Sequence, residues 1–189
     1  MRRQRIRYFT SQEKEKLLTY LEQNFEAKRS EFLYKLMFAT GLRLREAAGL
    51  NVGDVDGREM LAIVGKGKKF REIPLSSSIR KEIKNFLLWK FENGEDVRND
   101  APLFISKKRQ RFGPRGIQHD LDKWVKLAGL EGKYSPHALR HTVGFELMRK
   151  TGNIRQVQEF LGHNYVTTTQ IYTHVTKEEL RNCAELLQI

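Results

Sequence analysis

A histidine and an arginine stand three residues apart at a predicted helix start, a pattern that suits the binding of an anion. Ser135 and Pro136 are typical of an N-cap and a first helical position. His137 then lies in the first turn, where free N–H groups and the helix dipole favour negative charge. Arg140 follows on the same face, and a guanidinium can grip a phosphate at two oxygens. The pattern therefore predicts a phosphate site.

A tyrosine further along the chain is a candidate nucleophile for that phosphate. Gly162 is typical of the end of a helix over residues 154–161, and His163 follows it directly. Thr167 opens a T-x-x-Q capping box, which predicts a new helix that contains Tyr172. A tyrosine can attack phosphorus when cations hold the phosphate and stabilise the charge that develops.

A second arginine follows a glycine turn in the segment T-G-L-R-L-R-E, residues 40–46. Gly41 allows a sharp turn, and the short helix predicted after it places Arg43 and Glu46 on one face. The alternative is an ordinary surface ion pair, worth a few tenths of a kcal/mol. Arg45 is expected to lie on the surface.

A hairpin with a cationic tip is predicted next. Residues 60–64 read as a strand, residues 65–69 as a turn, and residues 70–75 as the returning strand. The lysines of the turn are Lys66, Lys68 and Lys69. Because a strand follows the turn and the spacing differs, this is not a nucleotide-binding Walker loop. A solvated turn remains the alternative.

A cationic run precedes the predicted helix that carries Ile117, Leu121 and Trp124. Such a run can follow a DNA backbone, and we favour that interpretation over a merely solvated face. Its members are Lys107, Lys108, Arg109, Arg111 and Arg115.

Taken in this order, the motifs resemble those of the tyrosine recombinases, the phage integrases and Xer-type recombinases. That family carries T-G-L-R-x-x-E, a G-K-G-x-K-x-R-x-x-P-L hairpin, H-x-L-R-H-T, L-G-H and then a nucleophilic tyrosine. The hairpin is read here as residues 65–75, and the spacing of His163 and Tyr172 fits the family. The resemblance covers nearly the whole chain.

The resemblance implies a site that cuts DNA through a 3′-phosphotyrosine, without a metal, nucleotide or other cofactor. Glu46 would be a supporting carboxylate, and Lys66 would be the general acid that protonates the leaving 5′ oxygen. The implied catalytic positions are Arg43, Lys66, His137, Arg140, His163 and Tyr172.

The fold class implied is mainly α with a small antiparallel β-sheet, an α+β arrangement. Residues 1–8 are expected to be a basic lead-in or linker, and residues 9–189 a single catalytic domain. Most members of the family carry an N-terminal core-binding domain of about a hundred residues, a common domain size, and this chain is expected to lack one. The chain is therefore expected to be either a shortened form or a single-domain member similar to fimbrial-switch recombinases.

Charge and composition agree with a polyanionic partner. The 189 residues include 35 Lys and Arg against 23 Asp and Glu, a formal net charge of +12. Double-stranded DNA is the expected partner, with self-association on DNA from dimer to tetramer implied by the resemblance. One cysteine excludes an internal disulfide. No secretory signal and no apolar run near the roughly 18 residues of a membrane span are found, so a cytoplasmic, nucleoid-associated protein is expected.

Two other functions share these features. A type IB topoisomerase uses the same chemistry but relaxes supercoils without pairing two sites. A DNA-binding regulator with the same fold would not cut, and the intact catalytic set argues against it. The predicted helix over residues 177–187 either folds back or docks on a neighbouring subunit, and the sequence leaves both open.

The helices that must position these motifs are marked by capping residues and apolar spacing. Thr10 or Ser11 is predicted to cap a first helix, which buries a stripe that extends to Phe25. A second helix runs from about Ser30 and ends before the glycine turn. A later helix starts at Ser76 or Ser77.

Overall fold

The structure, a computed structural model, describes residues 7–64 and 70–162 together with Thr169 and Tyr172. Within these residues the protein is mainly helical, with a single two-stranded antiparallel sheet, so the predicted fold class is confirmed. None of the described helices is both long enough and apolar enough to cross a membrane.

The described residues form seven α-helices and two short 3-10 turns. The helices are α1 (Ser11–Glu22), α2 (Lys28–Thr40), α3 (Leu44–Gly49), α4 (Ser77–Glu92), α5 (Pro114–Leu127), α6 (Pro136–Thr151) and α7 (Ile154–Leu161). The 3-10 turns are Phe25–Ala27 and Val52–Asp54.

The chain divides into two compact units. The first unit is Met1–Val143 and the second is Gly144–Ile189, so α6 contributes residues to both. The single catalytic domain expected over residues 9–189 stays a prediction.

Several helix ends lie where the capping residues predicted them. Thr10 Oγ1 accepts a hydrogen bond from the Glu13 N–H at 3.2 Å, and Glu13 accepts one from the Thr10 N–H at 2.8 Å, a capping box that starts α1. Ser76 caps α4. Helix α2 ends at Gly41 and α7 ends at Gly162. Both glycines have a left-handed backbone conformation, with φ of 61° and 64°. A residue with a Cβ is strained there, which is why glycine ends these helices.

Aromatic rings fill the core of the first unit. Phe32 of α2 stacks on Phe86 of α4 with ring centroids 4.3 Å apart, and Phe104 lies 5.8 Å from Phe32. Helix α5 is tied to α2 by a hydrogen bond of 2.9 Å from Trp124 Nε1 to Ser30 Oγ. These contacts hold α2 against α4 and α5.

The prediction that Phe25 belongs to the buried stripe of α1 is wrong. Leu17 and Leu21 are fully buried, whereas Phe25 is 87% exposed. Helix α1 ends at Glu22, and Asn24 caps the following 3-10 turn with its side chain. Helical spacing therefore no longer applies at Phe25, because the chain has already left the helix.

The predicted hairpin is present. Strand β1 (Met60–Val64) pairs antiparallel with β2 (Phe70–Pro74), and the register places Leu61 opposite Ile73. Both side chains are fully buried, so one face of the hairpin packs on the core of the first unit. The turn over residues 65–69 lies outside the described residues.

The second unit contains a well-capped helix. Asn153 Oδ1 accepts hydrogen bonds from the N–H groups of Arg155 and Gln156 at 3.0 and 3.2 Å, which starts α7. Val157 and Leu161 are fully buried. The helix predicted over residues 154–161 is therefore confirmed.

Candidate functional site

The first arginine of the candidate site lies between two helices. Arg43 follows the Gly41 turn and immediately precedes α3. Its backbone N–H donates to Glu46 Oε2 at 2.8 Å, and its Nη1 donates to Glu46 Oε1 at 2.9 Å. The Arg43 side chain is 40% exposed and that of Glu46 only 10%. The carboxylate is thus a buried support, and the guanidinium faces solvent in part. Arg45 is exposed, as predicted.

A second guanidinium holds the same carboxylate. Arg71 of β2 donates from Nη1 to Glu46 Oε1 at 2.9 Å and from Nη2 to Glu46 Oε2 at 2.8 Å. The sequence motifs alone assign Arg71 no role, although it occupies the arginine position of the hairpin motif. That position was the only signal available, since the two residues are 25 apart in the chain.

Glu46 remains ionised in this arrangement. Burial alone would raise its pKa, but the hydrogen bonds from Arg71 and Arg43 outweigh burial and lower the pKa to about 2. With one carboxylate between two guanidinium groups, the cluster keeps a net positive charge.

The second arginine reaches the same turn from α6. Arg140 is 5% exposed, and its Nη1 donates to the Gly41 carbonyl oxygen at 2.6 Å. The first half of α6 is anchored through Thr142, whose hydroxyl accepts a hydrogen bond from the Phe9 N–H at 2.8 Å. The structure therefore brings Arg140 to the backbone that leads into Arg43.

The histidines of α6 have different surroundings. His137 is exposed in the first turn, and His141 is half-buried one turn later. Burial, and then the charges of His137 and Arg140, lower the pKa of His141 to about 4. His141 is therefore neutral at pH 7, while His137 faces solvent at a helix end that favours an anion.

The predicted nucleophile lies in the second unit. Tyr172 is 4% exposed, and its ring meets Phe145 edge to face with centroids 5.0 Å apart. A Cβ at position 144 would lie 2.7 Å from Cε1 of Tyr172 and closer still to two other ring atoms. Only the absence of a side chain at Gly144 gives the tyrosine ring its place.

Four predicted site residues lie outside the described residues. They are Lys66, Lys68, Lys69 and His163.

The cationic run forms a second small hairpin. Ile105 and Arg111 make an isolated antiparallel bridge, and the Phe112 N–H donates to the Phe104 carbonyl at 2.9 Å. The exposed tip consists of Lys107, Lys108 and Arg109, and is called the 107–109 tip below. Arg109 has a φ of 57°, a left-handed conformation that closes the turn. Arg115 is exposed in the first turn of α5.

Arg111 makes structural contacts that its place in the cationic run did not reveal. Its Nη1 donates to the carbonyl oxygens of Gly49 and Leu50 at 3.0 and 2.9 Å, and its Nη2 to Asn51 Oδ1 at 2.6 Å. The guanidinium thus satisfies carbonyl groups at the C-terminus of α3. The position of α3, and with it Arg43, depends partly on this contact.

These groups have the chemistry of an anion-binding site. Arg140 contacts the glycine turn that leads into Arg43, and the exposed His137 lies one turn before Arg140 in α6. Guanidinium groups with fixed geometry can bind non-bridging phosphate oxygens and stabilise charge as it develops. In the part of the chain that the structure describes, no cluster of His, Cys, Asp or Glu is placed to hold a metal ion.

Comparisons with known proteins agree with the motifs. Residues 7–179 match the model described as "Phage integrase family". The "Tyrosine recombinase XerC" of Corynebacterium glutamicum is 38% identical over 156 residues, 82% of this chain and 49% of the relative. The protein of the same name from Caldanaerobacter subterraneus is 40% identical over 177 residues, 92% of this chain and 49% of the relative. The chain thus spans about half the length of the curated relatives it matches.

Solved structures show the same fold. A crystal structure of XerA recombinase superposes with a TM-score of 0.80 at 30% identity, and covers 99% of this chain and 67% of its own. XerH site-specific recombinase bound to difH substrate in a pre-cleavage complex gives a TM-score of 0.80 at 27% identity, over 100% of this chain and 56% of its own.

Proposed function

This chain belongs to the phage integrase family, and from that premise we propose that it cuts and rejoins DNA strands through a covalent 3′-phosphotyrosine at Tyr172. The observation that carries the proposal is the convergence of Arg140 and the Arg43 segment at Gly41, through residues 99 apart in the chain. Two arginines held at one turn suit a single phosphodiester.

In the proposed reaction, Arg43 and Arg140 bind the non-bridging oxygens of the scissile phosphate. Tyr172 attacks phosphorus in line, a P–O bond forms to the phenolic oxygen, and the P–O bond to the 5′ oxygen breaks. Lys66 protonates that leaving oxygen.

The histidines assist around the same phosphate. His137 accepts the tyrosine proton or donates a hydrogen bond, and His163 bonds the transition state. A 5′ hydroxyl from a partner strand then attacks the phosphotyrosine and reverses the step. The covalent bond conserves the energy of the phosphodiester, so the proposal requires no nucleotide or metal.

Double-stranded DNA is the proposed partner. The net charge of +12 and the exposed cations of the 107–109 tip support it. Strand exchange needs two duplexes side by side, so self-association on DNA, from dimer to tetramer, is part of the proposal. The proposed compartment is the cytoplasm, in association with the nucleoid.

The test is the trapping of a covalent adduct. A duplex nicked next to the cleavage point loses a short fragment after cleavage, so religation is prevented and the adduct accumulates on denaturing gels. We expect the wild-type chain to form the adduct and Tyr172→Phe to form none, with DNA affinity nearly unchanged.

The matched control is Tyr20→Phe in α1, which removes one phenol hydroxyl outside the proposed site. It should form the adduct at the wild-type rate. An adduct that persists in Tyr172→Phe would show that Tyr172 is not the nucleophile. Equal loss in Tyr20→Phe would show that the loss is not specific to Tyr172.

A further inference from the structure

Glu46 is held at both oxygens from two sides. Arg71 binds one Nη to each carboxylate oxygen, at 2.9 and 2.8 Å, while Arg43 approaches with its backbone N–H and Nη1. Arg71 is itself largely buried, with 13% of its side chain exposed, against 40% for Arg43. The carboxylate therefore cannot rotate or shift without breaking a two-pronged contact to β2.

Arg71 also sets the net charge around Arg43. A carboxylate paired with Arg43 alone would cancel the positive charge that a phosphate needs. With Arg71 on the other side, one negative charge lies between two positive charges, and the cluster remains cationic. Arg71 thus lets Glu46 orient Arg43 without neutralising it.

We infer that Arg71 is a positioning residue for cleavage, which acts through Glu46 to fix Arg43 and to keep its surroundings positively charged. This inference rests on the proposed function of the same site. Arg71 itself touches no reacting atom in this assignment. A lysine at this position would keep the charge but could not bind both oxygens in one plane.

The experiment measures single-turnover cleavage of the nicked duplex with saturating protein, and DNA affinity separately. Arg71→Ala should slow cleavage by about 10²-fold, as expected for a misplaced catalytic group. DNA affinity should stay within a few-fold of wild type. The cleavage rate of Arg71→Lys should lie between those of Arg71→Ala and the wild type, because lysine restores the positive charge but cannot bind both carboxylate oxygens in one plane. If Arg71→Ala fails to fold, the cleavage rate of Arg71→Lys tests the positioning role of Arg71 instead.

Arg80→Ala is the matched control. Arg80 also pairs with a glutamate, Glu59, at 2.6 Å, but this pair is exposed and lies outside the site. It should cleave like the wild type. A double-mutant cycle adds Glu46→Gln. If Arg71 acts through Glu46, Arg71→Ala should slow cleavage little further in the Glu46→Gln variant.

Two outcomes overturn the inference. One is wild-type cleavage by Arg71→Ala or by Arg71→Lys. The other is independent losses that multiply in the double variant, which would mean that Arg71 does not act through Glu46.

A carboxyl titration by NMR tests the same contact without cleavage. The pKa of Glu46 should be about 2 in the wild type and should rise towards the usual 4.5 in Arg71→Ala. If the wild type forms no adduct but this shift is seen, the proposed function fails and the Arg71–Glu46 coupling stands. If the pKa does not move, the coupling fails regardless of activity.

Discussion

Lys66 and the two arginines are proposed to act on different oxygens of one phosphodiester. Arg140 contacts the Gly41 turn that leads into Arg43, and the guanidinium groups of both residues suit the non-bridging oxygens. Lys66 lies outside the described residues, and its role rests on the hairpin motif. The distinction can be measured, because a leaving oxygen needs a proton and a non-bridging oxygen needs only charge.

The first prediction concerns Lys66→Ala on a substrate with sulfur in place of the bridging 5′ oxygen. On ordinary DNA the variant should cleave about 10²–10⁴-fold more slowly, the usual contribution of a general acid. A thiolate leaves without protonation, because thiols ionise near pH 8.5. Cleavage of the sulfur substrate by Lys66→Ala should therefore recover towards the wild-type rate in the same adduct assay.

Arg43→Ala and Arg140→Ala are the controls, and both should stay slow on either substrate. Equal slowness of Lys66→Ala on both substrates would instead make Lys66 a positioning residue. His137 would then be the next candidate for the acid.

His141 gives a prediction about pH and stability. Burial, with the charges of His137 and Arg140, lowers its pKa from 6.5 to about 4 in the folded protein. Between these values the unfolded chain binds more protons than the folded one, so stability should fall as pH drops from about 6.5 to about 4. Urea unfolding at several pH values should show this slope, and His141→Gln should flatten it.

Exposed His119 on α5 provides the control, and His119→Gln should leave the slope unchanged. The carboxyls whose pKa values are lowered, Glu13, Glu31, Glu46 and Asp96, affect stability below about pH 4.5 and so do not obscure most of this window. A wild-type slope that survives in His141→Gln would contradict the assignment.

Helix α6 carries residues for both units, and its two halves make different contacts. Its first turns hold Arg140 against the Gly41 carbonyl, whereas Gly144 gives room to the ring of Tyr172. Glycine inside a helix lowers stability by roughly 0.5–1 kcal/mol relative to alanine, so its presence here has a cost. The tyrosine ring supplies a physical reason for it.

Gly144→Ala should therefore displace Tyr172 from its buried position. The new Cβ would overlap the ring, and helix propensity would favour the alanine, so the tyrosine should move rather than the helix. Nitration of tyrosines, mapped by mass spectrometry, should show that Tyr172 is more reactive in Gly144→Ala than in the wild type, where it is only 4% exposed.

Gly49→Ala is the matched control, since Gly49 is also helical and a Cβ there would meet nothing within 4 Å. It should leave the reactivity of Tyr172 unchanged. Unchanged nitration in Gly144→Ala would show that the ring does not depend on this glycine.

Over the whole molecule, charge is expected to dominate DNA affinity. A chain with a net charge of +12 should bind largely through phosphates, with displacement of condensed counterions. The 107–109 tip places exposed cations on a small hairpin, which suits a DNA backbone. Arg111 differs from these cations because its guanidinium caps the end of α3.

The logarithm of DNA affinity should fall linearly with the logarithm of salt concentration. Each phosphate contact contributes about 0.9 to the slope on duplex DNA. The double variant Lys107→Ala with Lys108→Ala should reduce the slope by up to about 1.8 if both lysines contact phosphates. Fluorescence anisotropy with a labelled duplex over a salt series gives the slope.

The same change of charge elsewhere is the control. Lys81 and Lys84 are exposed on α4, outside the predicted DNA-binding set, and their double alanine variant should leave the slope nearly unchanged. Equal losses in the two double variants would mean that the 107–109 tip makes no particular contact.

Local signals in the sequence were sufficient for the helix ends, the hairpin and the order of the catalytic motifs. Thr10, Ser76, Gly41 and Gly162 mark helix boundaries because capping bonds and left-handed turns involve only neighbouring residues. Helical spacing failed at Phe25, because the chain leaves α1 before that residue. Periodicity gives the face of a residue only while the element continues.

The contacts that assemble the site depend on packing between distant segments. Arg140 reaches Gly41 across 99 residues, and Arg71 reaches Glu46 across 25. No spacing rule predicts such pairs, because they form only when helices and strands have packed into one unit. The tertiary structure therefore assigns Arg71 to the carboxylate beside Arg43 and turns Arg111 from a free cation of the run into the cap of α3.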